Sequence, residues 1–161
     1  MLSLPEELVE IFHDPQTVKI LVTSDDNGVP HPVFKGSLTL LDDGMIAYSE
    51  LIERSRTYKN MLNNYWKKKE VAIALYNEGR GAFQVKGRPR RFIIEGPVWD
   101  RFLEETWKVL PEADPAGVWI IEPLAVENLD YSLRRNEEEQ RMPNYMPWMR
   151  LKGPRSGKLS R

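Results

Sequence analysis

The sequence contains no cysteine and only two histidines among its 161 residues. The absence of cysteine excludes disulfides, thiolate catalysis and cysteine-bound zinc. No apolar run approaches the roughly 20 residues that span a bilayer, and the acidic start lacks the basic region of a signal peptide. Phosphate loops of GxGxxG or P-loop spacing are absent too. We therefore expect a cytoplasmic protein. The sequence motifs assign neither a catalytic residue nor a metal site.

The composition is that of an ordinary globular domain, with 41% hydrophobic and 29% charged residues. The formal net charge of -1 hides an asymmetry along the chain. Residues 134–161 carry eight Lys or Arg against three Glu, which leaves 15 basic and 21 acidic residues in 1–133. We predict one domain over residues 1–133 and a basic C-terminal extension over 134–161.

Short β-rich runs separated by turn signals dominate the first 133 residues. The first three runs read as an antiparallel meander, because DDNG and DDG turns separate them. Amphipathic patterns predict three short helices, one near the start, one after Ser55 and one opening at Gly96-Pro97. The whole pattern predicts a mainly β (α+β) fold, a small closed or half-closed antiparallel barrel with flanking helices. The six predicted strands are residues 17–24, 29–41, 45–49, 71–77, 82–94 and 117–123.

The stretch ERSRTYKNMLNN, residues 53–64, places hydroxyl and guanidinium groups immediately before a predicted helix. A helix N-terminus exposes unpaired N–H groups and favours an anion. Ser55 and Thr57 can donate hydroxyl hydrogen bonds, and Arg54 and Arg56 can make charge-assisted contacts with phosphate oxygens. The stretch predicts a phosphate site. In the alternative interpretation, Ser55 is only the N-cap and the arginines are solvated.

The order of several segments resembles the FMN-binding split-barrel proteins of the pyridoxamine 5'-phosphate oxidase-like superfamily, over residues 4–130. Those segments are PHPVFKGSLTLLDDG, MIAYSE, SRTYKNMLNN, VAIAL, FQVKGRPRRF and EGP. The resemblance implies a six-stranded split barrel that forms a homodimer, with FMN in a groove between the subunits. The cluster of Ser55, Arg56 and Thr57 would hold the FMN phosphate.

The resemblance also implies where the flavin ring lies. The ring would follow the second strand, where Gly36 permits close approach. If Lys35 points toward the pyrimidine edge, it would stabilise the reduced anionic flavin. In the alternative interpretation, Lys35 is an ordinary lysine on an exposed face. Asn60 would reach toward the ribityl or phosphate end, and the partner subunit would contribute the polar face of the fifth strand. The implied cofactor-binding residues are Val33, Phe34, Lys35, Gly36, Ser37, Ser49, Glu50, Leu51, Ser55, Arg56, Thr57, Asn60, Gln84 and Lys86.

An FMN flavoprotein, either a flavin-dependent oxidoreductase or a flavin reductase-like protein, is the leading hypothesis. A non-catalytic flavin carrier or sensor is the alternative. The basic run KGRPRRF also keeps open a barrel that binds single-stranded nucleic acid. Some members of the superfamily bind haem or a deazaflavin instead. Only residues 148–151 echo the substrate-gripping C-terminal region of a true pyridoxamine phosphate oxidase, so that activity is not carried over.

Overall fold

The computed structural model describes residues 2–141, which contain seven β-strands and four α-helices. The chain divides into two compact units between Leu129 and Asp130. In chain order the elements are α1 (Glu6–His13), β1 (Val18–Ser24), β2 (Pro30–Phe34), β3 (Thr39–Leu40), β4 (Ile46–Glu50), α2 (Arg56–Trp66), β5 (Val71–Asn77), β6 (Gly81–Ile93), α3 (Pro97–Val109), β7 (Gly117–Asn128) and α4 (Tyr131–Arg141).

The seven strands form one antiparallel sheet in the order β2-β1-β5-β6-β7-β4-β3. The sheet curves as a half-barrel, so the mainly β split-barrel class is confirmed, but the predicted number of six strands is wrong. The run 29–41 is interrupted by a turn in which the Leu38 N–H donates to the Lys35 carbonyl. Its two parts lie at opposite edges of the sheet, and the predicted meander is therefore also wrong. Proline accounts for one edge, because Pro30 and Pro32 in β2 have no N–H to donate to a further strand.

Alternation along the strands directs one face of the sheet into the main core. Ile73 in β5 lies between Leu21 in β1 and Val85 in β6, and all three are fully buried. Helices α1 and α2 cover this face through Phe12 and Met61, among others. A second, smaller cluster lies on the opposite face under α3; its buried members are Leu41, Ala47, Phe102, Val118 and Ile120.

The half of the sheet away from α3 presents an apolar surface outward. Cross-strand pairing places Phe34, Ile20, Ala74 and Gln84 in one row over β2, β1, β5 and β6. Phe34 is 77% exposed. We call this surface the outer β face; its apolar members include Val18, Ile20, Val22, Phe34, Ala72, Ala74 and Tyr76.

The second unit begins with α4, in a segment that the sequence predicted to be an irregular extension. The Asp130 carboxylate caps this helix by accepting from the Ser132 and Leu133 N–H groups. Arg135 and Glu139 pair one turn apart on its exposed surface. The predicted boundary at 133/134 falls inside α4, and the domain assignment stays a prediction. The echo at residues 148–151 lies outside the described residues. Within residues 2–141, every helix is too short or too polar to cross a bilayer.

Candidate functional site

Residues 35–38 carry the chain from one edge of the sheet to the other, and polar side chains join the two edges there. The Ser37 hydroxyl accepts from the Ser49 N–H at 3.1 Å and donates to the Ser49 carbonyl at 3.5 Å. The Lys19 ammonium donates to the Leu38 carbonyl at 2.8 Å and to the Phe12 carbonyl at 2.7 Å. We call the region of residues 35–38 and 49–50 the seam. It is closed by side chains instead of by a strand ladder.

A buried carboxylate lies at the centre of the seam. The Glu50 side chain is only 2% exposed, and its Oε1 lies 3.3 Å from the Lys35 Nζ. The same oxygen accepts from the Ser55 hydroxyl at 3.4 Å, while Oε2 accepts from the Tyr48 hydroxyl at 3.3 Å. Folding removes water from this carboxylate, and three protein donors replace the hydrogen bonds that water would make.

Tyr48 contacts both members of the Lys35–Glu50 pair. The Lys35 Nζ lies 4.8 Å from the centroid of the Tyr48 ring, a cation–π distance. Burial raises the pKa of Tyr48 well above its ordinary value of 10.0, and the charge of Glu50 and their hydrogen bond raise it further. The phenol therefore stays protonated at neutral pH and donates to Glu50.

The N-terminus of α2 adjoins the seam. Ser55 is its N-cap, because the hydroxyl accepts from the Tyr58 N–H at 2.9 Å. This hydroxyl is engaged on both sides, since it also donates to Glu50. Arg54 and Arg56 are exposed, and among residues 2–141 neither forms an ion pair with an acidic side chain. The cationic charge at this corner is therefore available to an anion.

Two residues predicted for the phosphate end are buried in α2. Thr57 is 4% exposed and Asn60 is 5% exposed. The Asn60 amide donates to the Thr23 hydroxyl at 3.0 Å, which ties α2 to β1. The Asn60 amide is thus already engaged inside the protein.

The residues predicted to line the flavin ring divide between different surroundings. Val33 packs against the main core, whereas Phe34 points out on the outer β face. Gly36 is exposed, and no atom of residues 2–141 lies within 4 Å of the position that a Cβ would take there. Leu51, the residue after β4, is exposed. In the described residues, the buried Ser49 hydroxyl oxygen has no hydrogen-bond partner.

The two residues predicted on the fifth strand, which is β6 of the structure, lie away from the seam. Gln84 and Lys86 are half-buried on the outer β face, in rows with Ala74 and Ala72. Three strand spacings separate Gln84 from Phe34, about 14 Å at the usual distance between strands. Within one chain these residues therefore belong to a different surface from the seam.

Half of the basic run on β6 is already paired. Arg88 lies 3.6 Å from Glu70, and Arg90 pairs with Glu122. This pairing lowers the net positive charge that the run can offer to a polyanion.

Sequence reasoning missed Tyr48 and Lys19. Tyr48 looks like an ordinary core aromatic, so nothing in its sequence context indicates a donor to a carboxylate. Lys19 did carry a signal, because it shares the inward face of β1 with Leu21 and Thr23. Burial lowers the pKa of Lys19, although the charge of Asp14 opposes this shift.

Neither the protein-family models nor the curated proteins contain a match to this chain. Solved structures do match. A candidate pyridoxamine 5'-phosphate oxidase from Lactobacillus delbrueckii is 24% identical, with 77% of this chain and 93% of that chain covered and a TM-score of 0.56. An FMN-binding protein from Syntrophomonas wolfei is 15% identical, with 77% and 87% covered and a TM-score of 0.60. HutZ, the heme storage protein from Vibrio cholerae, is 14% identical, with 79% and 95% covered and a TM-score of 0.55.

These matches extend over nearly the whole length of each known structure, at identities that establish a shared fold and not a shared activity. They agree with the resemblance that the sequence segments indicated. The chain therefore shares its split-barrel fold with the candidate pyridoxamine 5'-phosphate oxidase and with the FMN-binding protein.

Proposed function

We propose that this chain binds FMN at the seam and at the N-terminus of α2, and that it serves as a flavin-dependent redox protein. One observation carries the proposal. Segments 35–37, 49–51 and 54–56 are separate in sequence, yet they converge on the buried carboxylate of Glu50. The likeness in fold to an FMN-binding protein supports the same conclusion.

The chemistry of the residues fits the cofactor. The guanidinium groups of Arg54 and Arg56 are exposed and form no ion pair among residues 2–141. Together with the N–H groups that open α2, they would hold the phosphate. The exposed backbone at Gly36, where no atom of the described residues lies within 4 Å of a Cβ position, would admit the flat ring. When bound, FMN supplies the electron- and hydride-transfer chemistry. The chain's own residues bind, orient and shield it.

The outer β face supports a homodimer as part of the proposal. Exposed apolar side chains on a sheet face favour burial against a second copy. Association through this face would bring Gln84 of the partner subunit and Lys86 of the partner subunit toward the cofactor groove. Sedimentation should give twice the chain mass of 18.8 kDa. Ala74→Arg should yield a monomer, while Glu104→Arg on the exposed surface of α3 should stay dimeric.

Titration with FMN tests the binding site directly. The purified protein should bind FMN with the two visible flavin absorption bands. Arg54→Ala combined with Arg56→Ala should weaken binding at least about tenfold, because two charge-assisted contacts are lost. Arg101→Ala with Lys108→Ala, an equal charge change on α3, should bind as the wild type does. Equal affinity in both double variants would contradict the phosphate site.

Further measurements separate the alternatives. Oxidation of NADH or NADPH by the FMN-loaded protein would indicate an enzyme, and tight retention without turnover would indicate a carrier. Haem is the second candidate, because HutZ shares the fold. The available imidazoles are His13 at the end of α1 and His31 in β2, and neither belongs to the seam. Titrations with haemin and with a deazaflavin, alongside FMN, would rank the three ligands.

A further inference from the structure

We infer that Glu50 determines specificity, because it cancels the charge of Lys35 and thereby sets how strongly the site prefers FMN to riboflavin. This inference rests on the proposed FMN site. Riboflavin has the same ring as FMN but lacks the dianionic phosphate, so the ratio of the two affinities reports the charge of the site. That ratio is insensitive to changes that weaken the ring contacts alone.

The geometry connects the two ends of the proposed site through one carboxylate. Oε1 of Glu50 contacts Lys35, which lies beside the expected ring, at 3.3 Å. The same oxygen accepts at 3.4 Å from Ser55, the residue that caps α2 where the phosphate would bind. A change of charge at Glu50 would therefore be felt at the phosphate end.

Burial strengthens this coupling. The Glu50 side chain is 2% exposed and that of Lys35 is 16% exposed, so little water screens their charges. With both present the pair contributes almost no net charge to the site. Arg54 and Arg56 then provide the charge that attracts the phosphate, and the site discriminates less between FMN and riboflavin than its three cations would allow.

The isosteric variant Glu50→Gln isolates the charge. A glutamine still has an oxygen that accepts from Ser55 or from Tyr48, so the shape of the seam is retained. What it removes is the negative charge opposite Lys35. Lys35→Met makes the opposite change, and the double variant restores a neutral pair.

The experiment measures the dissociation constants of FMN and riboflavin for the wild type, Glu50→Gln, Lys35→Met and the double variant. We expect the FMN preference to rise about tenfold in Glu50→Gln and to fall about tenfold in Lys35→Met. The double variant should return to within about threefold of the wild type, since its net charge is the same. Circular dichroism establishes that each variant is folded.

The outcomes separate the two proposals. If the wild type binds neither flavin, the proposed function fails, and this inference fails with it. If the wild type binds FMN but Glu50→Gln has an unchanged or lower FMN preference, this inference alone is overturned. A purely structural role for Glu50 would weaken FMN and riboflavin equally and leave the ratio unchanged. Should Lys35→Met fail to fold, the wild type and Glu50→Gln still decide the question.

Discussion

The ammonium of Lys35 lies 3.3 Å from Oε1 of Glu50, where the two edges of the sheet meet. Lys35 follows β2 at one edge, and Glu50 ends β4 beside the other. This ion pair therefore spans the split of the barrel, at a place where strand pairing does not join the edges. The same ion pair therefore holds the two edges together and sets part of the charge of the candidate site.

Breaking this pair from one side should destabilise the protein. Lys35→Met leaves a buried carboxylate without its cation, and we expect the free energy of unfolding to fall by about 2–4 kcal/mol. Adding Glu50→Gln should recover more than half of that loss, because the unpaired charge is then gone. Urea denaturation measures all three variants. Losses that simply add in the double variant would show that the two residues are not coupled.

The C-terminus of α2 offers a stabilising substitution. Lys68 has a left-handed backbone, with φ of 53°. Among the residues that the structure describes, no other non-glycine residue has a positive φ. The N–H of Lys69 donates to the Asn64 carbonyl, which makes this a Schellman-type end that normally has glycine at position 68. We expect Lys68→Gly to raise the free energy of unfolding by about 0.5–1 kcal/mol.

The neighbouring Lys69→Gly is the control for this substitution. It adds flexibility to the unfolded chain and relieves no strain, so thermal denaturation should show a lower midpoint for Lys69→Gly. A lower midpoint for Lys68→Gly as well would mean that the lysine side chain stabilises the turn by another contact.

Asp14 should contribute to the loss of stability in acid. The Gln16 N–H, followed by Arg80 and Asn77 among others, holds the pKa of this carboxyl below its ordinary value of 3.8. A lowered pKa in the folded state stabilises the protein fully above about pH 4, and this stabilisation disappears as the pH falls below that value. Asp14→Asn should therefore lower stability at pH 7 and flatten its decline in acid. A decline as steep as in the wild type would assign acid sensitivity to other carboxyls.

Local turn chemistry made part of the fold predictable. The hairpin of β1 and β2 follows from DDNG, and prolines mark β2 as an edge strand. Ala72 and Ala74 share a face with Gln84 and Lys86 once β5 and β6 pair. Strand alternation alone predicts this relation, because it needs only the register of adjacent strands.

Other features depend on contacts distant in sequence. The extended run 29–41 gives no sign that its two parts join opposite edges, because both parts look like strand. In α2 the apolar stripe of Tyr58, Met61, Leu62 and Tyr65 is only partly buried, and Leu62 and Tyr65 are 38% and 37% exposed. Asn60 takes a buried position because Thr23 satisfies its amide. Helix α4 has almost no apolar periodicity, so capping by Asp130 was its main local signal.

Gly36 provides a test of flavin binding that is largely independent of stability. Its backbone is outside the left-handed region, and a Cβ there would meet no atom of the described part of the chain within 4 Å. Gly36→Ala should therefore change the free energy of unfolding by less than about 1 kcal/mol. If the flavin ring lies against this backbone, the added methyl group should weaken FMN binding at least about tenfold, because the ring can no longer make van der Waals contact.

Gly28→Ala supplies the opposite case for comparison. Gly28 has φ of +80°, so alanine is strained there and should cost about 1 kcal/mol, but the residue lies in the β1–β2 turn, away from the seam. FMN affinity should therefore be unchanged while stability falls. Fluorescence titration and urea denaturation measure both quantities for both variants. If Gly36→Ala binds FMN as tightly as Gly28→Ala does, the ring does not approach residue 36, and the ring-binding part of the proposed site has to be placed elsewhere.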